Sequence, residues 1–484
     1  MLLTCWNISE FILRGKNMLE DADVELSGFF WVPEDPEKKL AGKLVVKKDG
    51  GVSLEVVGAF NESAVDNDMS NSKILGLVDG NEKVTILQCF YTLKVPFEYG
   101  LNKSSLVANQ LFLGHCFENQ VAGFNYYSFG LDNLDEWAGY DGVDVKRFKS
   151  TWQRIEFKLP KTKSFMLNNN MKLSIVFGYK LKGGLGSATI EQSTRFQLYS
   201  KQQRPLADFQ ECAFYIENFI SLAIDDMACS RRREVKSTSV YIPPQDGGKR
   251  RMLPIRYIFP SSNYRPTPVK VHWQRMLFTL ASIGDLSKAL NTWFDIYLNV
   301  EPALDLYFSV AHERKAFSHS KFLALAQALE TFHRRTNSDT LRSASEFEEF
   351  SCKILDSSSE GTREWLESKL KHGNELPFRQ RLKSLVAPIK KHIGSAGDVK
   401  SLVNKILDSR NYYTHYDSEL EGRAAKGMEL YQLSVRMEAL LKVLFLQKLG
   451  FEGERLENAL SYQVKKELNP SFHPSSEHRN TAKS

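Results

Sequence analysis

The stretch whose residue types and spacing suit chemistry is Arg410-Asn411-Tyr412-Tyr413-Thr414-His415. A histidine titrates near neutrality and can move protons to or from a 2′-hydroxyl or a leaving 5′-oxygen. An arginine stays charged and grips phosphate oxygens bidentately while negative charge builds in a transition state. Asn411 offers both a donor and an acceptor to fix the imidazole or the phosphate. The set suits RNA cleavage and needs no metal, so no cofactor is expected. The bare spacing is common: with 25 arginines and 10 histidines in 484 residues, about 0.5 matches to Arg-x4-His arise by chance. Arg314 to His319 is such a second match, weaker because Lys315 replaces the small polar residue and because it ends at a helix junction. Requiring Asn after the Arg cuts the chance expectation about twentyfold more. On the motif alone, a surface Arg and His on an ordinary helix carries about equal weight.

The elements that must position this motif are helical. Leu402, Val403, Ile406 and Leu407 form an apolar stripe leading into it. Similar stripes run through Leu286 to Leu298, Phe322 to Phe332, Leu382 to Ile389 and Leu433 to Phe445, and Pro302 and Pro377 suit helix starts. The first two hundred residues read differently, as period-two and β-rich runs such as Phe29–Val32, Val52–Val57, Val84–Phe90, Leu173–Tyr179 and Ala188–Leu198. Lys47 to Gly51 is a hairpin turn, since Asp-Gly and Gly-Gly tolerate positive φ, and Gly183 to Ser187 reads as another. The fold class is α+β multidomain, with a β-rich N-terminal sandwich or distorted barrel followed by an all-α bundle. The divisions expected are 1–205 for the β-rich domain, 206–268 for a helix and basic β/loop connector, 269–455 for the all-α region and 456–484 for a mostly disordered tail.

Composition sets outer bounds. A chain of 484 residues, 42% hydrophobic and 25% charged, has room for about three globular domains. Its net charge of +6 permits a polyanionic partner without requiring one. The six cysteines form no CxxC pair, which argues against a zinc ribbon or a disulfide framework and for reduced, mostly buried thiols. No run approaches the roughly 20 apolar residues of a membrane span, and the N-terminus lacks a leader pattern, so a cytoplasmic location is expected. GxxxxGK[ST], HExxH, GxSxG and a GxGxxG following a strand are all missing, leaving ATPase, zincin, α/β-hydrolase and Rossmann readings without support. Asp132, Asp135, Asp141 and Asp144 lack calcium-loop spacing and read as solvated loop carboxylates.

The helical region around Arg410 to His415 resembles the HEPN domain, and Phe322 to His333 resembles its ApeA-like subgroup. Gly28 to Pro33, the Gly42-to-Gly58 hairpin, Ile74 to Gly80 and Asn133 to Trp137 are similar to the N-terminal domain that accompanies this HEPN in ApeA-type proteins. The resemblance implies a metal-independent endoribonuclease used in antiphage defence by abortive infection, acting as a homodimer or higher homo-oligomer in which two motif copies meet in a composite pocket. It implies that Arg410 stabilises the scissile phosphate, that His415 is the general acid or base and that Asn411 supports them. Attack by the substrate's own 2′-hydroxyl would leave a 2′,3′-cyclic phosphate and a 5′-hydroxyl. Arg410 and His415 lie about 140° apart around a regular helix, so either a pocket shared between two chains or a helix ending between them is required.

Neighbouring residues extend the reading. Glu330 and His333, three apart, could flank the pocket, or Glu330 could pair with Arg334. Tyr412 and Tyr413 could stack on an unpaired base, although packing in the bundle fits better. Arg231, Arg232, Arg233, Lys249, Arg250 and Arg251, with the basic run Arg363 to Lys391, could track an RNA backbone, although each run alone reads better as a solvated face. The expected partners are host RNA with exposed loops, tRNA foremost, and a phage-derived trigger sensed by the β-rich region, which would otherwise restrain the nuclease. The alternative is a non-catalytic HEPN module that binds a nucleotide or a partner, with Arg410 as a phosphate anchor.

Overall fold

The computed structural model describes residues 22–61, 68–94, 102–119, 121, 123–149, 152–242, 250–261, 264–311 and 319–472. The chain divides into two compact units, one of residues 1–273 and 278–287, the other of 274–277 and 288–484.

The N-terminal unit is built on sixteen described strands: β1 (Val24–Val32), β2 (Asp35–Val46), β3 (Val52–Val57), β4 (Asp68–Val78), β5 (Glu82–Lys94), β6 (Lys103–Leu113), β7 (Phe124–Leu131), β8 (Val143–Lys149), β9 (Trp152–Phe157), β10 (Lys163–Met166), β11 (Lys172–Gly184), β12 (Ser187–Arg204), β13 (Ser230–Lys236), β14 (Tyr241–Ile242), β15 (Arg251–Met252) and β16 (Ile255–Ile258). The first six pair in the order β6-β3-β2-β1-β4-β5, and β5 pairs again with β6, so they close a six-stranded barrel. Closure removes the open edges that a flat sheet of this size would leave. Alternation fills the interior: Val52, Leu54 and Val56 of β3 point inward beside Phe30, Leu44, Ile74, Ile86 and Leu106. So small a barrel has no room for a side chain at every inward position. A Cβ at Gly76 would lie 2.6 Å from the fully buried Phe30 ring, so the glycine makes room for the phenylalanine.

A second run, β16-β13-β7-β12-β11-β10, extends the sheet from the end of β6, where Leu111 to Leu113 pair with β16 beyond the stretch paired with β3. The helices of this unit are α1 (Leu134–Ala138) and α2 (Leu206–Ile224). α2 carries Phe209, Ile216, Phe219 and Ile220, all fully buried, with Phe209 against Tyr127 and Phe219 edge-on to Trp137. Truncating one such core aromatic costs about 3–5 kcal/mol. Both turns read from the sequence are present: Gly50 has φ +85 between β2 and β3, and Gly186 has φ +87 between β11 and β12.

Three expectations are corrected. Residues 206–268 are no separate connector, because β13 and β16 lie inside the main sheet between β7 and β6. Asp132 is not solvated: its side chain is 4% exposed and it receives two hydrogen bonds from Arg231. The segment assigned to a tail from residue 456 instead holds helix as far as Leu468.

The C-terminal unit is helical: α3 (Leu286–Val310), α4 (His319–Thr336), α5 (Ala344–Asp356), α6 (Glu360–Leu370), α7 (Phe378–Val386), α8 (Lys390–Ile393), α9 (Ala396–His415), α10 (Gly427–Lys448), α11 (Gly453–Ala459) and α12 (Tyr462–Leu468). α3 breaks at Val300, two residues before Pro302, and Pro377 caps α7, so both prolines sit at helix starts. α10 is buried along most of its length, through Leu433, Met437, Leu440, Leu441, Leu444 and Phe445. It packs on α4, which in turn meets α7 and α9. Phe445 receives Tyr307 and Phe332 edge-on, at ring distances of 5.2 and 5.7 Å.

Candidate functional site

The motif lies at the end of α9. That helix starts in a capping box, in which Ser395 Oγ accepts from the Asp398 N–H and Asp398 accepts from the Ser395 N–H. It stays helical through His415 and stops at Tyr416, which takes the left-handed conformation with φ +51. The helix therefore does not end between Arg410 and His415. The two side chains stand about 7.5 Å apart along the axis and about 140° apart around it.

Their neighbours differ accordingly. Ser409 and Tyr413 face the bundle and clamp the returning chain, since Ser409 Oγ accepts from the Ala425 N–H at 2.9 Å and the Tyr413 hydroxyl donates to the Ala425 carbonyl at 2.8 Å. Arg410 emerges beside this clamp with its side chain 35% exposed. Its guanidinium is 3.6 Å from Glu330, donates to Asn411 Oδ1 at 3.3 Å and lies 5.9 Å from the centre of the Phe378 ring. His415 is exposed and its imidazole has no hydrogen bond or ion pair among the described residues.

Behind Arg410 runs a chain of alternating charges. Glu330 also pairs with Arg334 at 3.3 Å, Arg334 with Glu375 at 2.6 Å, and Glu375 with Arg381 at 3.5 Å and His372 at 2.9 Å. Arg381 is buried, donates to the Leu376 carbonyl and reaches His333 Nδ1 at 3.4 Å. Arginine can only donate, so Nδ1 accepts and the proton of a neutral His333 sits on Nε2, which has no partner among the described residues. Burial first, and Arg381 second, hold the His333 pKa below its usual value. His333 is fully buried and cannot line a pocket open to substrate, which corrects the expectation that it flanks the site. Glu330 adjoins Arg410 and also makes the i,i+4 pair with Arg334.

Tyr412 is half-buried, edge-on to Tyr413 and Tyr416, with the Lys426 ammonium 5.5 Å from its ring centre. His319 ends the weaker second Arg-x4-His match. It opens α4 and stacks on Tyr413 with ring centres 5.0 Å apart, so the histidine of the second Arg-x4-His match packs against the first. The shared spacing was the available signal. Residues 314–318 lie outside the described residues, as does Lys249. Arg231, Arg232 and Arg233 line one cavity of the N-terminal unit, which Arg250 and Arg251 do not join; Arg250 stacks over Tyr241 at 4.7 Å. In the run from Arg363 to Lys391, Arg379 donates to Asn404 and Lys391 pairs with Glu457, both at 2.6 Å.

The comparisons with known proteins now bear on this geometry. Residues 25–293, more than half of the chain, match the ApeA N-terminal domain 1, and residues 323–455 match the Apea-like HEPN domain. The chain belongs to the ApeA-like HEPN family. The HEPN match encloses Glu330, Arg410, Asn411 and His415 and begins just after His319. The ApeA N-terminal domain takes in the barrel, the sheet extension and α2 as one stretch. No curated protein and no solved structure matches the chain. Among the described residues no helix is long and apolar enough to cross a membrane, and no group of three or more His, Cys, Asp or Glu side chains could hold a metal ion.

Proposed function

We propose that this ApeA-like HEPN protein is an endoribonuclease of antiphage defence, acting by abortive infection on host RNA, with tRNA as the foremost substrate. The observation that carries the reading is the arrangement on α9: a partly exposed guanidinium held by a displaceable carboxylate and, nearly one and a half turns on, an exposed imidazole with no partner among the described residues. A scissile phosphate would replace Glu330 as the anion against Arg410, with two oxygens for its fork of N–H donors. His415 would take the proton from the 2′-hydroxyl or give one to the leaving 5′-oxygen. The 2′-oxygen bonds to phosphorus as the bond to the 5′-oxygen breaks, leaving a 2′,3′-cyclic phosphate and a 5′-hydroxyl. Since the two groups diverge around one helix, the pocket pairs Arg410 of one copy with His415 of a second across a two-fold interface.

The test is denaturing-gel analysis of total RNA from cells expressing the wild type, Arg410→Ala or His415→Ala, with and without phage, with end-group chemistry on the fragments. Discrete fragments with cyclic-phosphate ends are expected from the wild type alone, each variant losing about 10²–10⁴-fold in cleavage. Intact RNA despite wild-type protection would overturn the reading in favour of a binding module, as would full function of His415→Ala beside a defective Arg410→Ala.

A further inference from the structure

Three consecutive arginines of β13 face one cavity, which an ordinary strand forbids, because successive side chains alternate between faces. The register explains how. Between Arg231 and Glu234 the strand advances three residues while its partner β7 advances two, from Gly130 to Ser128. Arg232 sits in this bulge with φ +54, a left-handed conformation that costs a non-glycine residue on the order of 1 kcal/mol. The result is that Arg231, Arg232 and Arg233 all line a cavity of about 370 Å³. Strain held at a concave, charged place points to a site.

The rest of the wall is also basic. The β2–β3 turn contributes Lys47 and Lys48, the facing strands Lys180 and Arg195, and β16 Arg256, making eight basic residues against Asp49 and Glu234. Some of this charge is neutralised within the fold: Arg231 by Asp132, Arg256 by Glu82 at 2.7 Å, and Glu234 by Lys236 at 3.2 Å. Arg233 lies over the Phe259 ring at 3.7 Å. Lys47 and Lys48 carry no ion pair among the described residues, while Lys180, opposite Glu191 on β12, and Arg232 share that carboxylate, so the lining stays basic after these pairings. Tyr179, half exposed at the same wall, presents an aromatic face.

We propose that this cavity of the ApeA N-terminal domain binds a small, multiply charged phosphate ligand of nucleoside triphosphate size, with Arg232 and the three lysines on the phosphates and Tyr179 against the base. The volume falls in the range of small-ligand pockets, whereas a nucleic acid strand needs an extended groove. The assignment stands whether or not the HEPN domain cleaves RNA.

Calorimetric titration of the full chain with ATP, inorganic tripolyphosphate, adenosine and a short single-stranded RNA tests it. One ATP per chain is expected, with adenosine at least about tenfold weaker. Tripolyphosphate matching ATP would assign the site to the phosphates alone, and a clear preference for ATP would assign the base to Tyr179. Arg232→Gly suits the left-handed backbone and so keeps the fold; it and Lys180→Gln should each weaken ATP binding about tenfold. No saturable binding of ATP or tripolyphosphate, unchanged affinity in both variants, or RNA displacing ATP at lower concentration would overturn the proposal.

Discussion

The two arginine sites of this molecule are built on opposite principles. On β13 a bulge gathers Arg231, Arg232 and Arg233 into a concavity whose other walls come from the same domain, so one chain completes the site. On α9 a regular helix sends Arg410 and His415 in directions about 140° apart, which is the ground for the proposed pocket shared with a second copy. Strand irregularity can concentrate charge within a fold, while an unbroken helix disperses it around its axis. The supports differ as well. Arg231 is locked by a nearly buried carboxylate, whereas Arg410 is held at 3.6 Å by a glutamate shared with Arg334, a partner that an incoming phosphate can replace.

This contrast is open to being broken. Asp132 is 4% exposed and its partner Arg231 22%, so removing one charge leaves the other enclosed. Asp132→Asn should therefore destabilise the N-terminal unit by about 3 kcal/mol, seen as faster hydrogen exchange in β7 and β13 of the intact chain. A loss below about 1 kcal/mol would mean that the pair behaves as a surface ion pair and that the cluster is not locked.

A comparable effect, spread over several pH units, separates the two sites by pH. Burial raises the Glu217 carboxyl on α2 to about 7, against a smaller lowering by the nearby Arg233. The native state therefore holds this proton where the unfolded chain has released it. The stability it contributes is complete below about pH 4.5 and is lost as pH rises through about 7, on the order of 3 kcal/mol. Glu217→Gln should flatten that slope in hydrogen exchange of α2 and β13 and leave α9 unmoved; an unchanged slope would show that Glu217 is ionised throughout.

Much of this was legible in the sequence, and the limits have physical causes. Local signals carried: Lys47 to Gly51 and Gly183 to Ser187 are turns because glycine relieves positive φ there, and the apolar period from Phe209 to Ile224 is α2. The basic stretch holding β13 reads as a β/loop connector, and its place inside the main sheet is hidden because the bulge breaks the period-two pattern and the pairing with β7 is long-range. Barrel closure by β5 and β6 depends on cross-strand register that no local pattern encodes. The helices after residue 452 bury only Leu456, Ala459, Val464 and Leu468, too sparse a stripe to stand out among polar residues. At the motif, the sequence named Arg410, Asn411 and His415, but the Glu330 contact joins residues eighty positions apart, and His333 cannot be seen as buried without the fold.

The most direct test of a site divided between two copies is to mix the two inactive variants. Arg410→Ala and His415→Ala chains, each inert alone, would be combined, allowed to exchange and assayed for RNA cleavage. A mixed pair holds one pocket with both native groups, so about a quarter of the wild-type rate should return when exchange is random. A mixture as inert as either variant alone, with exchange confirmed by mass, would contradict the shared site and require Arg410 and His415 to act within a single chain.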